Sequence, residues 1–159
     1  MTDERGDAER LAALRDEIDA VERSALRVVD PGARAVTVSV ALLALLVGFV
    51  LPWIGPANGL DVLRGTTDPA MEVGVLPRLF AGVAVAFGIV LSVLTLLVRR
   101  WGLVWASALG CGYGALDGVW SIWSRQTVDG AGPGIGMVVA AVAVLTLSAT
   151  WFRVAVTRE

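Results

Sequence analysis

Residues 77–123 read PRLFAGVAVAFGIVLSVLTLLVRRWGLVWASALGCGYGALDGVWSIW, two long apolar runs joined by Arg99-Arg100. At about 1.5 Å of rise per residue, a helical run of about 20 apolar residues covers the roughly 30 Å hydrocarbon core of a bilayer. The runs, 77–98 and 101–123, are therefore expected to be membrane spans, and their short junction makes them an antiparallel hairpin. Pro77 suits a first helical turn, where its missing N–H leaves nothing unpaired. Two further apolar blocks flank the pair, 35–54 before it and 134–154 after it.

The composition agrees with that reading. Of 159 residues, 56% are hydrophobic and 18 more are Gly, above the roughly 45–50% typical of soluble domains on a similar count. The expected fold is an all-α membrane protein, a four-transmembrane-helix bundle preceded by a cytoplasmic amphipathic helix. Its domains are an N-terminal helix and linker over 1–34, a membrane domain over 35–156 with an outer loop at 55–76, and a tail over 157–159.

Residues 1–34 are dense in Asp, Glu and Arg. Leu11, Leu14, Ile18, Val21, Ala25 and Val28 recur at spacings of three and four, a heptad-like stripe suited to pairing with another helix. Asp30-Pro31-Gly32 ends the pattern. The acidic polar face argues against docking on anionic lipid.

Arginines set the orientation. With the amino terminus inside, Arg23, Arg27, Arg34, Arg99, Arg100, Arg153 and Arg158 lie on the cytoplasmic side and Arg64, Arg78 and Arg125 outside. The positive-inside rule then places both termini in the cytoplasm of a multi-pass plasma-membrane protein. Trp53, Trp101, Trp105, Trp120, Trp123 and Trp151 fall near span ends, as interface anchors do. The 55–76 loop carries turn signals such as Asn58-Gly59 and Asp68-Pro69, interleaved with apolar residues that suggest packing on the bundle mouth.

Two features inside the third span could carry function. Gly102, Ala106, Gly110, Gly114 and Gly118 recur every four residues and form a small-residue stripe that admits another helix backbone. Asp117 is an acidic residue well within a span, which requires a partner, with Arg78, Arg125 and the Tyr113 hydroxyl as candidates.

Familiar catalytic sets are missing. The chain has no His, its 13 basic residues are all Arg, and its single Cys111 lies in an apolar block. Histidine general bases, Schiff-base lysines, CxxC redox pairs and zinc clusters are thus excluded. A weakly acidic chain, with formal charge −2, shows no basic footprint for nucleic acid. Asp61, Asp68 and Glu72 offer oxygen ligands on one loop, which more often means solvation than a hard-cation site. No metal and no cofactor are expected.

The Leu51-Pro52-Trp53-Ile54-Gly55-Pro56-Ala57-Asn58-Gly59-Leu60-Asp61-Val62-Leu63 junction, the all-Arg composition and the acidic preface resemble small four-span membrane proteins of actinobacteria. The resemblance implies location and architecture and supplies no catalytic residue. The expected function is a non-enzymatic accessory or scaffold subunit that binds other helices through the third span and the N-terminal stripe. Its partners would be the lipid bilayer and a second copy or another membrane protein, with no nucleic acid. The alternative is a small oligomeric transporter or channel subunit that uses Asp117.

Overall fold

The computed structural model describes residues 31–98, 100–127 and 130–157. The chain divides into two units, Met1–Ala33 and Arg34–Glu159. The heptad-like stripe from Leu11 to Val28 lies outside the described residues.

Four long helices occupy the apolar blocks: α1 (Pro31–Val50), α3 (Val75–Val98), α4 (Trp101–Gln126) and α5 (Ile135–Val156). Between α1 and α3 the chain forms a small hairpin, β1 (Pro52–Ile54) and β2 (Ala57–Asn58), then a short helix α2 (Gly59–Arg64) and a 3-10 turn (Pro69–Met71). Gly55, at φ 55°, makes the hairpin turn, a left-handed conformation that glycine adopts without a steric penalty. Asn58 caps α2, accepting from the amides of Leu60 and Asp61, while Asp61 returns a carboxylate to the Asn58 N–H. This reciprocal capping box satisfies N–H groups that a helix start leaves without partners. The 55–76 segment is thus ordered by local hydrogen bonds.

The core is built from the inward faces of the long helices. α4 packs along α5 and against α3. α1 meets α5 through backbone: a Cβ on Gly48 would lie 3.0 Å from the Ala140 nitrogen, and one on Gly136 2.6 Å from the Leu51 carbonyl oxygen. The Gly134 amide donates to the Trp53 carbonyl at 2.6 Å, and Pro133 bridges to Ile54, which ties the start of α5 to the hairpin.

Helix α3 changes pitch midway, with a π-helical segment over Ala84–Leu91. A widened turn strands carbonyls that an α-helix would pair. Here Ser92 donates to the Phe87 carbonyl at 3.1 Å and the Cys111 thiol reaches the same oxygen at 3.5 Å. Trp151 Nε1–H donates to Ser92 Oγ at 3.0 Å, so α5 joins the same buried cluster.

The elements correct the four-span expectation. Among the described residues two helices, α3 and α5, are long and apolar enough to cross a membrane, and core helices that are mostly buried pass the same test. The apolar helix Arg34–Val50 is shorter. α4 has the length, with 26 residues, but its glycines, serines, tryptophans and Asp117 dilute its apolar character below that of a span. Four apolar blocks are four helices; they are not four spans.

Candidate functional site

The C-terminal half of α4 gathers the chain's unusual chemistry. Asp117, Ser121 and Arg125 are spaced four apart, so they share one face of the helix. That face points inward: Asp117 is 2% exposed, Ser121 0% and Arg125 5%. No hydrogen bond or ion pair among the described residues satisfies Asp117 Oδ2, Ser121 Oγ or Arg125 Nε. Burial of the Asp117 carboxyl raises its pKa above the ordinary carboxylate value, because a low-dielectric setting disfavours the charged form.

Arg125 bonds to main chain. Its Nη1 donates to the Glu72 carbonyl at 3.2 Å and its Nη2 to the Ala131 carbonyl at 2.8 Å. One guanidinium thereby holds two loops against the end of α4. Glu72 adopts φ 44°, a left-handed backbone that is unfavourable for a residue with a Cβ. The Arg125 bond supports that conformation.

The opposite face of the same helical segment presents aromatic surface. Trp120 and Trp123 are 57% and 64% exposed. With Leu76, Ser124 and Thr127 they line a pocket of about 390 Å³. A second, mostly apolar groove of about 480 Å³ lies between α1 and α5, lined by residues such as Val40, Ala44, Val138 and Val142 together with Thr37 and Thr146.

The expected site residues are distributed differently from the sequence reading. None of Arg78, Arg125 and Tyr113 pairs with Asp117: Arg78 lies exposed on α3, Arg125 turns to carbonyls, and Tyr113 is half exposed. The small-residue stripe is filled within the chain where it is buried. Gly110 faces the Phe87 ring, Gly114 faces Val83 and Val144, and Gly118 faces Phe80. Ala106 is half-buried and Gly102 has open space beside it.

The tryptophans also divide. Trp53 is fully buried, donates from Nε1 to the Gly48 carbonyl at 2.8 Å and stacks on Phe80 at 5.3 Å. Trp151 is buried through its bond to Ser92. Both are core residues, which corrects their expected place as interface anchors. Trp101 is exposed, while the half-buried Trp105 makes edge contacts with Trp101 and Phe152 and has an unpartnered Nε1.

Sequence reasoning missed the Ser92–Cys111–Trp151 cluster, because nothing in an apolar string marks a π-helical segment. Burial raises the Cys111 thiol to about 11, against a smaller lowering by its hydrogen bond with Ser92. Among the described residues no group of three or more His, Cys, Asp or Glu side chains is placed to hold a metal ion. Asp61 and Asp68 are engaged as helix and turn caps.

Comparison with known proteins adds what the geometry lacks. The profile of a family described as the MiaB C-terminal domain matches residues 15–159. A curated relative, the tRNA-2-methylthio-N(6)-dimethylallyladenosine synthase of Mycobacterium avium (strain 104), is 44% identical over 158 residues, or 97% of this chain. The chain spans 22% of that relative's length. No solved structure matches.

These matches correct several expectations. The resemblance to four-span actinobacterial membrane proteins gives way to the matched family. The multi-pass plasma-membrane location, the lipid bilayer as partner, and the scaffold and transporter readings were built on the four spans and on the surfaces and the Asp117 carboxyl placed within them, and they give way to the matched family. The non-enzyme reading and the exclusion of nucleic acid are overturned as well, since the relative is an enzyme named for a modified tRNA nucleoside. Absence of histidine, lysine and a basic cluster had argued for both, but a segment can serve an enzyme without containing its reacting groups.

Proposed function

Since the chain belongs to the MiaB C-terminal domain family, we propose that it acts in tRNA modification, as a helical domain of an enzyme that makes a 2-methylthio-adenosine-type nucleoside. The observation that carries this is the 44% identity to a synthase of that name over nearly the whole chain. Identity at that level across α1 to α5 supports a shared fold and a shared place in the larger activity.

The domain's own residues support a positioning role. Arg125 fixes two loops beside the Trp120–Trp123 pocket, so the indoles are presented from a braced surface. Exposed indole faces accept an unstacked base irrespective of its identity, at about 1–3 kcal/mol per stacked base. Ser124 and Thr127, also at the pocket, donate their hydroxyls to the Ser121 and Ser124 carbonyls, which leaves their oxygens able to accept from a ribose hydroxyl. Apolar flanks of the long helices, including Val40, Leu97 and Leu116, stay exposed. Surface of that kind is ordinarily covered by a partner, and in this reading the cover is the remainder of the enzyme.

Affinity purification of the tagged chain from its native host tests the proposal. Methylthiolating activity toward tRNA is expected in the eluate. Activity found wholly in the unbound fraction, with the chain recovered apart from it, overturns the reading. Within an active preparation, replacing both Trp120 and Trp123 by Ala is expected to lower tRNA affinity by about tenfold or more, corresponding to the loss of one or two stacked bases. An unchanged affinity removes the pocket from the RNA contact.

A further inference from the structure

We propose that one end of the helical unit is a docking surface for single-stranded nucleic acid, with Arg34, Arg100 and Arg153 taking phosphates and Trp101 stacking on an unpaired base. The inference goes beyond the tRNA reading and does not depend on it. Three helices bring these residues to one end. α1 and α5 run antiparallel, since Gly48 meets Ala140 and Leu51 meets Gly136. Arg34 lies 14 residues before Gly48 and Arg153 lies 13 after Ala140, so at about 1.5 Å per residue both stand roughly 20 Å from that crossing, at the same level. Trp105 on α4 makes edge contacts with Trp101 at 6.1 Å and with Phe152 at 5.9 Å. The start of α4, with Arg100 as its N-cap, therefore meets the same end of α5.

The charges are segregated. All three arginines are exposed. The acidic side chains among the described residues lie elsewhere: Asp61, Asp68 and Glu72 on the segment that Arg125 ties to the far end of α4, and Asp117 in the interior. The formal charge of −2 conceals this basic end, and no run of basic residues marks it, because its arginines are 66 and 53 positions apart. The rings select the ligand. Trp101 is 55% exposed and Phe152 44%, both braced through Trp105. An acidic peptide engages the arginines and leaves the indole unmatched, and so does a duplex, whose bases are already stacked. A single strand matches both sets: phosphate oxygens accept from the planar guanidinium fork, and an unpaired base stacks on the exposed indole. This surface lies roughly 30 Å along α4 from the Trp120–Trp123 pocket, so the two are separate contacts.

Fluorescence anisotropy of a short fluorescein-labelled oligouridine, titrated with the full chain at several salt concentrations, tests the proposal. Three phosphate contacts predict a slope of log K against log salt of about −2. Arg153→Gln is expected to make that slope shallower by about 0.7. Arg153→Lys, which keeps the charge, is expected to hold the wild-type slope, a recovery that a folding defect would not show. Trp101→Ala is expected to lower affinity about fivefold or more at an unchanged slope. No binding by the wild type, a wild-type slope in Arg153→Gln, or a wild-type affinity in Trp101→Ala overturns the proposal. So does a chain that binds phosphatidylglycerol vesicles and not the RNA. The readout is binding alone, so its failure is distinct from a failure of the tRNA-modification reading.

Discussion

Asp117 is the residue whose chemistry most constrains the rest. Unfolded, its carboxyl ionises near 3.8; folded, burial holds it protonated to higher pH. The folded chain then binds more protons than the unfolded one, so this group's contribution to stability falls as pH rises above about 4 and levels off once the folded carboxyl ionises. Denaturant midpoints measured from pH 4 to pH 8 are expected to decline less in Asp117→Asn than in the wild type. Identical slopes refute the burial account. Glycines offer a second contrast at this scale. A Cβ on Gly110 would sit 2.0 Å from the Phe87 ring, while one on Gly102 meets nothing within 4 Å. Gly110→Ala should therefore cost about 1–3 kcal/mol through overpacking, whereas Gly102→Ala should be neutral or stabilising by up to about 1 kcal/mol through helix propensity. Thermal unfolding of the two variants separates packing from propensity.

At the scale of elements, Arg125 does work that no motif announces. Its guanidinium joins α4 to the segments before α3 and before α5 through two carbonyls. Hydrogen bonds from a charged donor contribute about 1.5–3 kcal/mol, so Arg125→Met is expected to destabilise by a few kcal/mol and to speed amide exchange around 66–75 and 130–134. Exchange that rises evenly over the chain contradicts the staple. The helices themselves were legible in the sequence: apolar runs of that length leave little alternative, and the helix starts at Val75 and Trp101 lie close to Pro77 and Arg100. Trp53 was not legible, because a Trp at the end of an apolar run looks alike whether it faces a boundary or a core. Its burial follows from a hairpin that folds back over it, and that hairpin is only three and two residues long. The close crossing of α1 and α5 at Gly48 and Gly136 was also hidden, since single glycines on two separate helices carry no spacing signal.

For the whole molecule, apolar content and function turned out to be separate questions. Hydropathy read along the chain reports how much surface must avoid water, and says nothing of whether lipid or protein covers it. Two of the four long helices have the apolar length of a span, and the inward faces of all four build one core. Function was illegible for a different reason: the residues that sequence reasoning looks for, histidines, lysines and paired cysteines, are not in this segment, and the matched synthase extends far beyond it. Deleting the segment that encodes this chain in the native host, then quantifying tRNA nucleosides by mass spectrometry, tests the central claim most directly. The account predicts at least a tenfold loss of 2-methylthio-N6-dimethylallyladenosine, corresponding to about 1.4 kcal/mol or more in the limiting step, with accumulation of the nucleoside lacking the methylthio group. An unchanged level of the methylthiolated nucleoside contradicts it.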